Sequence, residues 1–517
     1  MNRLYPIGIQ NFEKLRKGGF VYVDKTALIH RLVSTGGYYF FGRPRRFGKS
    51  LMISTLESYF EGRKDLFEGL AIEGLEKEWN VHPVFHMDLN SRNYKDVDAL
   101  YGIFNQHLEK WEEVYGDEKK DRAPEERFAY LIEKAAKQTG RGVVILIDEY
   151  DKPLIQSLDD EELQSEYRSI LKSFYGNLKS CDKYIRFALL TGVTRFSRVS
   201  IFSDLNNLND ITMNPDFASL CGISEKELVE FFDEDVRVLA EKQNMSCSDT
   251  YAMLKRKYDG YHFTGNSEGM YNPFSVLNTF ASMRIENYWF STGTPTILVK
   301  LLQKNNYLLS DLTGNAEATA DELTGLETIN TNPIPLFFQS GYLTIKEYDE
   351  RFKNYILGFP NEEVEQGFLN FLMPSYMNMH GRNTSFHIMN FIKELEKGKI
   401  GSFMERLQSL FSDTPYELIR DTELHYQNVL FIVFRLMGFF THAEYHTSQG
   451  RIDMVVKTPQ YIYVMEFKFE GSAEDAIAQI DSRNYALPFM SDGRKVYKIG
   501  VNFSAETRNI EKWIVSD

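Results

Sequence analysis

The sequence predicts an α/β protein: a parallel sheet flanked by helices over its first half, a helical lid, and a smaller α/β domain at its end. Three observations predict this. The strand-like Tyr38-Tyr39-Phe40-Phe41 runs into Gly42-Arg-Pro-Arg-Arg-Phe-Gly48-Lys49-Ser50. A hundred residues on, Val143-Val-Ile-Leu-Ile147 runs into Asp148-Glu149. Near the C-terminus, a helix carrying Glu423 precedes two strands carrying Asp453 and Glu466-Phe-Lys468.

A chain of 517 residues exceeds one hydrophobic core and suggests about three domains. With 43% hydrophobic and 26% charged residues the composition is that of ordinary globular protein. The net charge of −14 argues against binding nucleic acid by bulk electrostatics, so any such contact needs a local basic patch. Cys181, Cys221 and Cys247 are odd in number and lack metal-ligand spacing, which fits free thiols in a reducing compartment. The N-terminus shows no apolar signal segment, and the longest aliphatic runs, such as 430–434, are far too short for a bilayer. The expectation is therefore a cytoplasmic protein with no membrane partner.

The glycine loop after Phe41 is the first element with chemistry. In such a loop, backbone N–H groups and the next helix N-terminus wrap a nucleotide's phosphates, Lys49 reaches the β and γ phosphates, and the Ser50 hydroxyl binds Mg²⁺. The spacing departs from the usual form: Arg43 stands where the first glycine belongs, with Gly42 one place earlier. Five apolar residues before Asp148 read as a central strand buried on both faces, and carboxylates past its C-terminal edge sit where open α/β sheets bind ligands. Asp148 would hold Mg²⁺ through water and Glu149 would polarise the attacking water. ATP and Mg²⁺ are the expected ligands. The phosphate-loop contacts are assigned to Gly42, Arg46, Phe47, Gly48, Lys49, Ser50 and Leu51, with Lys49 and Glu149 catalytic.

After Ser50 the spacing of Leu51, Ile53, Leu56, Tyr59 and Phe60 is helical. Strand 84–88 and helices near 97–116 and 124–138 follow. A fourth strand, 185–190, ends in Thr191-Gly-Val-Thr194, which places Thr191 or Thr194 as a γ-phosphate sensor. Arg43, Arg45 and Arg46 crowd the loop, while Arg195 and Arg198 stand where a transition-state arginine from a neighbouring copy would be sought. A homo-oligomer is one consequence. Residues 216–300 read as a helical lid, opened by a capping box at Ser224-Glu-Lys-Glu227. Residues 310–333 read as a loop, and 341–345 with 354–358 as a β-hairpin.

The motifs at 43–51, Leu146-Ile-Asp-Glu-Tyr-Asp-Lys-Pro153, Tyr258-Asp-Gly-Tyr-His-Phe263 and Tyr271-Asn-Pro-Phe274 resemble the bacterial AAA-ATPase-like family over nearly the whole chain. The resemblance implies an AAA-like P-loop ATPase fold and a C-terminal PD-(D/E)xK nuclease-like domain, a restriction-endonuclease-like fold. It also points to Tyr22-Val-Asp-Lys-Thr26 as a frame for the nucleotide base. The expected boundaries are 1–215 for the ATPase core, 216–375 for the lid and hairpin extension, 376–411 for a linker and 412–517 for the nuclease-like domain.

In that last domain Asp453 and Glu466 fall at adjacent strand positions, with Lys468 on the same face as Glu466. Carboxylates so placed bind Mg²⁺ or Mn²⁺ through oxygen, and the ion activates water against a scissile phosphate. Metal ligation is assigned to Ser50 and Asp148 at the first site; at the second, the resemblance to the PD-(D/E)xK pattern implies Glu423, Asp453 and Glu466 as ligands, Lys468 as catalytic and Gln479 as the trailing helix position. DNA or RNA is the expected partner. The alternative is a nucleotide-operated switch or scaffold whose C-terminal domain binds nucleic acid or protein without cutting.

Overall fold

The computed structural model describes residues 3–195, 207–290, 295–325, 332–377, 384–412, 422–438, 442–448, 451–504 and 506–517, with the backbone alone at 422, 442–448 and 451–453. The chain divides into two compact units: Met1–Thr292 with Ala316–Glu363, and Gly293–Asn315 with Val364–Asp517.

The first unit is built on a five-stranded parallel sheet, β1 (Tyr38–Gly42), β2 (Val84–Asp88), β3 (Val143–Asp148), β4 (Ile185–Gly192) and β5 (Asn209–Asp210), ordered β2-β3-β4-β1-β5. Every residue of β3 is buried, as expected of a strand covered by helices on both faces. The order carries functional meaning. β4 lies between the phosphate-loop strand and the acidic strand, so the ends of β1, β3 and β4 open onto one edge of the sheet. The helix Lys49–Phe60 starts directly from the glycine loop and buries Ile53 and Leu56 against the sheet.

The stretch 216–300, expected to be mainly helical, holds three long helices among its described residues. The helix Glu225–Gln243 begins at the anticipated capping box, in which Ser224 and Glu227 each satisfy the other's backbone N–H. It packs with helices Cys247–Tyr258 and Pro273–Ser282 around Leu228, Phe232, Leu239, Leu254 and Phe280, beside the short pair β6 (Ile223–Ser224) and β7 (Met270–Tyr271). Part of the stretch expected as a loop at 310–333 is ordered instead: β8 (Thr313–Thr319) alternates buried Ala316 and Ala318 with polar residues, and Thr319 caps the helix Ala320–Thr324. The expected hairpin forms from β9 (Thr344–Asp349) and β10 (Asn354–Gly358), and the sheet is ordered β8-β10-β9.

The longer stretch of the second unit starts at Val364. Residues 376–411, expected as a linker, include the helix Thr384–Glu396 and most of the helix Ile400–Ser412. Each has a single apolar face, Ile388, Phe391 and Leu395 on one and Phe403, Leu407 and Phe411 on the other. Beyond the helix Thr422–Gly438 lies a five-stranded sheet in sequential order: β11 (His442–Ser448), β12 (Arg451–Lys457), β13 (Tyr461–Lys468), β14 (Lys495–Ser504) and β15 (Asn509–Ser516). Only β13 and β14 run parallel, joined by the crossover helix Ala473–Ser482. Among the described residues no helix is long and apolar enough to cross a membrane.

Candidate nucleotide and metal sites

The glycine loop leaves β1 through a conformation that its residues permit unequally. Gly48 sits at φ 101°, where no L side chain rests comfortably, and Arg46 at φ 67°. The turn opens the helix Lys49–Phe60 toward a cavity of about 360 Å³. Arg46, Gly48, Lys49, Ser50, Leu51 and Glu149 line it together, so loop and acid strand converge on one space. Lys49 is nearly buried, and its ammonium donates to the carbonyls of Arg43 and Pro44 at 2.9 and 3.2 Å.

Three loop residues, Gly42, Arg43 and Phe47, are not among those lining this cavity. Gly42 ends β1, and its N–H donates to the Thr212 hydroxyl at 2.9 Å. A Cβ there would stand 3.3 Å from that oxygen, so the glycine serves strand packing. Arg43 is 1% exposed: its guanidinium donates to the carbonyls of Gly42, Thr212, Phe217 and Ala218 and lies over the rings of Phe41 and Phe263, 4.3 and 4.0 Å from their centroids. Burial pulls its pKa down to about 10. It is a structural cation rather than a phosphate ligand. Phe47 is also buried, edge-on to Tyr261 at 4.7 Å.

At the acid strand, Asp148 is 3% exposed and accepts from the Thr191 hydroxyl at 2.6 Å and from the Glu149 N–H at 3.1 Å. Glu149 has φ 55°, a left-handed turn that swings the chain away from β3 while its side chain lines the cavity. Thr194 is buried and bonded to Asp151. Arg195 forms an ion pair with Asp210, both 13% exposed, and its N–H donates to the Gln339 amide oxygen at 2.8 Å. Arg198 lies outside the described residues.

Several residues around this site had no role in the sequence reading. The segment Pro6 to Gln10, with Asn90, Lys152, Pro273 and Phe274, lines the same cavity. Phe274 belongs to the quoted Tyr271-Asn-Pro-Phe274 motif and Lys152 to the motif ending at Pro153, so the signal was present without a geometry to interpret it. A second, apolar cavity of about 100 Å³ adjoins the first, sharing Gly48 and Leu51, and is lined by Tyr22, Val23 and Lys25. The Lys25 ammonium reaches both Glu227 oxygens, at 2.6 and 2.7 Å. Burial lowers its pKa against the opposing pull of that carboxylate.

In the second unit the register places Asp453 directly opposite Glu466 on neighbouring antiparallel strands. Glu466 is fully buried; its Oε1 accepts from the Gln479 amide and stands 3.1 Å from the Lys468 ammonium, which in turn donates to the Gln479 amide oxygen. Gln479 arrives on the crossover helix, capped by Ser472. Glu423 is exposed in the first turn of its helix and accepts from Gln427 at 3.0 Å, a contact within that helix. No group of three or more acidic, His or Cys residues placed to hold a metal ion occurs among the described residues. Nearby His425 is buried, and burial lowers its pKa to about 4, a neutral packed ring.

The fold and these sites define a P-loop α/β protein ending in a nuclease-type sheet. Residues 6–202 match the family described as predicted AAA-ATPase, and residues 421–513 match the PD-(D/E)XK nuclease superfamily. The chain is also similar to a protein of Azotobacter chroococcum mcd 1, described as the uncharacterized protein in the vnfD 5' region, with 33% identity over 524 residues covering 99% of this chain and 98% of the relative. The chain belongs to the AAA-ATPase-like family and carries a PD-(D/E)XK nuclease superfamily domain.

Proposed function

We propose that the protein binds and hydrolyses ATP with Mg²⁺ in its first unit, and that nucleotide state governs a metal-dependent nuclease in its second. The observation that carries the first half is the convergence of Lys49, Ser50 and Glu149 on one cavity of about 360 Å³. The phosphates occupy that cavity and the base enters the adjoining apolar one. Ser50 and Asp148 are the residues that would hold Mg²⁺, which would supply charge neutralisation at the phosphates. Lys49 then exchanges its two loop carbonyls for phosphate oxygens. Glu149 orients the attacking water, and Asp148, bonded to Thr191, fixes the backbone from which Glu149 projects.

For the second half, an oxygen donor set from Asp453 and Glu466 in register, joined by Glu423, suits Mg²⁺ or Mn²⁺, whose chemistry there is activation of water against a phosphodiester. Gln479 and Lys468 hold Glu466 in place, and Lys468 faces the phosphate charge that develops on cleavage. Purified protein assayed on DNA and RNA with Mg²⁺ or Mn²⁺, with and without ATP, tests both halves. Cleavage that depends on the ion and responds to ATP supports the reading. Binding without cleavage under every condition replaces it with a nucleotide-operated scaffold, and cytoplasmic location and self-association belong to the same proposal.

A further inference from the structure

Phosphoryl transfer loads negative charge onto the transferred group and its leaving oxygen, and P-loop enzymes meet it with a cation besides the loop lysine. The described groups that the sequence offered for contact with the γ phosphate beyond the loop are engaged elsewhere. Arg195 is paired with Asp210, and within the loop Arg43 is spent on four backbone carbonyls. Thr191 gives its hydroxyl proton to Asp148, and Thr194 gives its own to Asp151.

Lys152 is placed where those groups are not. It lines the cavity with Lys49, Ser50 and Glu149, and its N–H donates to the Glu149 carbonyl at 3.0 Å. The turn that carries both side chains is stitched to the end of β4. Tyr150 donates its N–H to the Thr191 carbonyl and its hydroxyl to the Thr194 carbonyl, each at 3.0 Å, and Asp151 accepts from Val193 and Thr194. Lys152 is thereby fixed relative to the acid that orients water. Of the other cavity cations, Arg45 and Arg46 sit on the glycine loop, and the Arg46 guanidinium lies over Phe274, 5.0 Å from its centroid.

We propose that Lys152 is a catalytic residue that stabilises, within one chain, the charge developing on the γ-phosphoryl group, so that hydrolysis needs no arginine from a neighbouring copy. The assignment rests on the ATP-hydrolysis reading above. In the step, the water oxygen bonds to the γ phosphorus as the bond from phosphorus to the β–γ bridging oxygen breaks, its electron pair leaving on ADP. One water proton stays on the released phosphate and the other passes through Glu149 to solvent. Lys152 keeps its proton throughout and acts by charge.

The test uses the full chain and separates rate from binding. Steady-state ATP hydrolysis gives kcat, and calorimetry with a non-hydrolysable ATP analogue and Mg²⁺ gives affinity. K152A is expected to lower kcat at least about 100-fold while analogue affinity stays within about fivefold. K152R is expected to restore kcat to within about tenfold of wild type, and wild-type activity per molecule to stay constant over a roughly 100-fold range of protein concentration. A K152A kcat within about threefold of wild type, or loss of binding as large as the loss of rate, overturns the proposal. So does activity per molecule that climbs with concentration, which marks a cation supplied by another copy. Wild-type protein that binds the analogue yet never turns over ATP removes the hydrolysis reading itself, and with it the role of Lys152.

Discussion

Asp151 accepts both the backbone N–H and the hydroxyl of Thr194, each at 2.6 Å, and the N–H of Val193 at 3.0 Å through the same oxygen. The carboxyl is fully buried, and burial, aided by the charge of Glu149, raises its pKa to about 6. Removing it strands two buried N–H groups, each worth about 1–3 kcal/mol unsatisfied. Asp151→Ala is therefore expected to lower the unfolding midpoint of the first unit substantially, and Thr194→Val, which removes one bond, to lower it less. Equal midpoints for Asp151→Ala and wild type in a denaturant titration contradict this account of the turn.

Arg43 makes a prediction of the opposite kind to the one its place in the loop invites. A phosphate-binding arginine can be removed at the expense of affinity alone, but this one satisfies four carbonyls and packs between two rings. Arg43→Met and Arg43→Lys are both expected to destabilise the fold, because a lysine's single point charge cannot span the four acceptors. The expected loss is about 3 kcal/mol or more. Thermal melting checks it, and an Arg43→Met protein that melts like wild type while losing ATP affinity contradicts it.

Glu363 sets a pH dependence. It is 1% exposed, accepts from the Ser275 hydroxyl and the Trp289 N–H at 2.7 Å each, and burial raises its pKa to about 7. A carboxyl raised in the folded state is easier to bury protonated, so its contribution is full below the unfolded value near 4.5 and is lost as pH rises through about 7. Wild type is expected to gain stability relative to Glu363→Gln as pH falls from 8 to about 5. Melting midpoints of both proteins across that range decide it, and a difference that does not change with pH contradicts it.

The second site separates two roles. Asp453→Asn is expected to weaken Mn²⁺ binding at least about tenfold, since it removes a ligand. Lys468→Ala is expected to leave Mn²⁺ affinity within a few-fold and slow cleavage, since the lysine works on developing charge. Calorimetry with Mn²⁺ beside a cleavage assay distinguishes them. Cleavage by Asp453→Asn at the wild-type rate leaves the nuclease reading without support.

Much of the fold was legible because it depends on periodicities that a sequence displays. The all-buried run of β3, the capping box at Ser224 and the hairpin at 344–358 follow from side-chain spacing and turn chemistry. Local pattern failed where packing decides. The two helices within 384–412 each bury one narrow stripe, and β8 hides only two alanines, so neither stands out from a polar linker. The phosphate loop was legible as a motif but not residue by residue. That Gly42 and Arg43 serve packing depends on Thr212, Phe217 and Phe263, which lie 169 or more positions away. Lys152 stood inside a quoted motif but could not be singled out, because its place beside Glu149 follows from a turn held by β4.

The measurement that bears most directly on the central claim is ATP binding and hydrolysis by Glu149→Gln beside wild type. Glu149 lines the cavity at the glycine loop from a left-handed turn fixed by Asp148, and the substitution keeps its shape while removing the charge proposed to orient water. The account predicts ATP affinity within a few-fold of wild type and hydrolysis slower by about 100-fold or more. Hydrolysis by Glu149→Gln at the wild-type rate would contradict it.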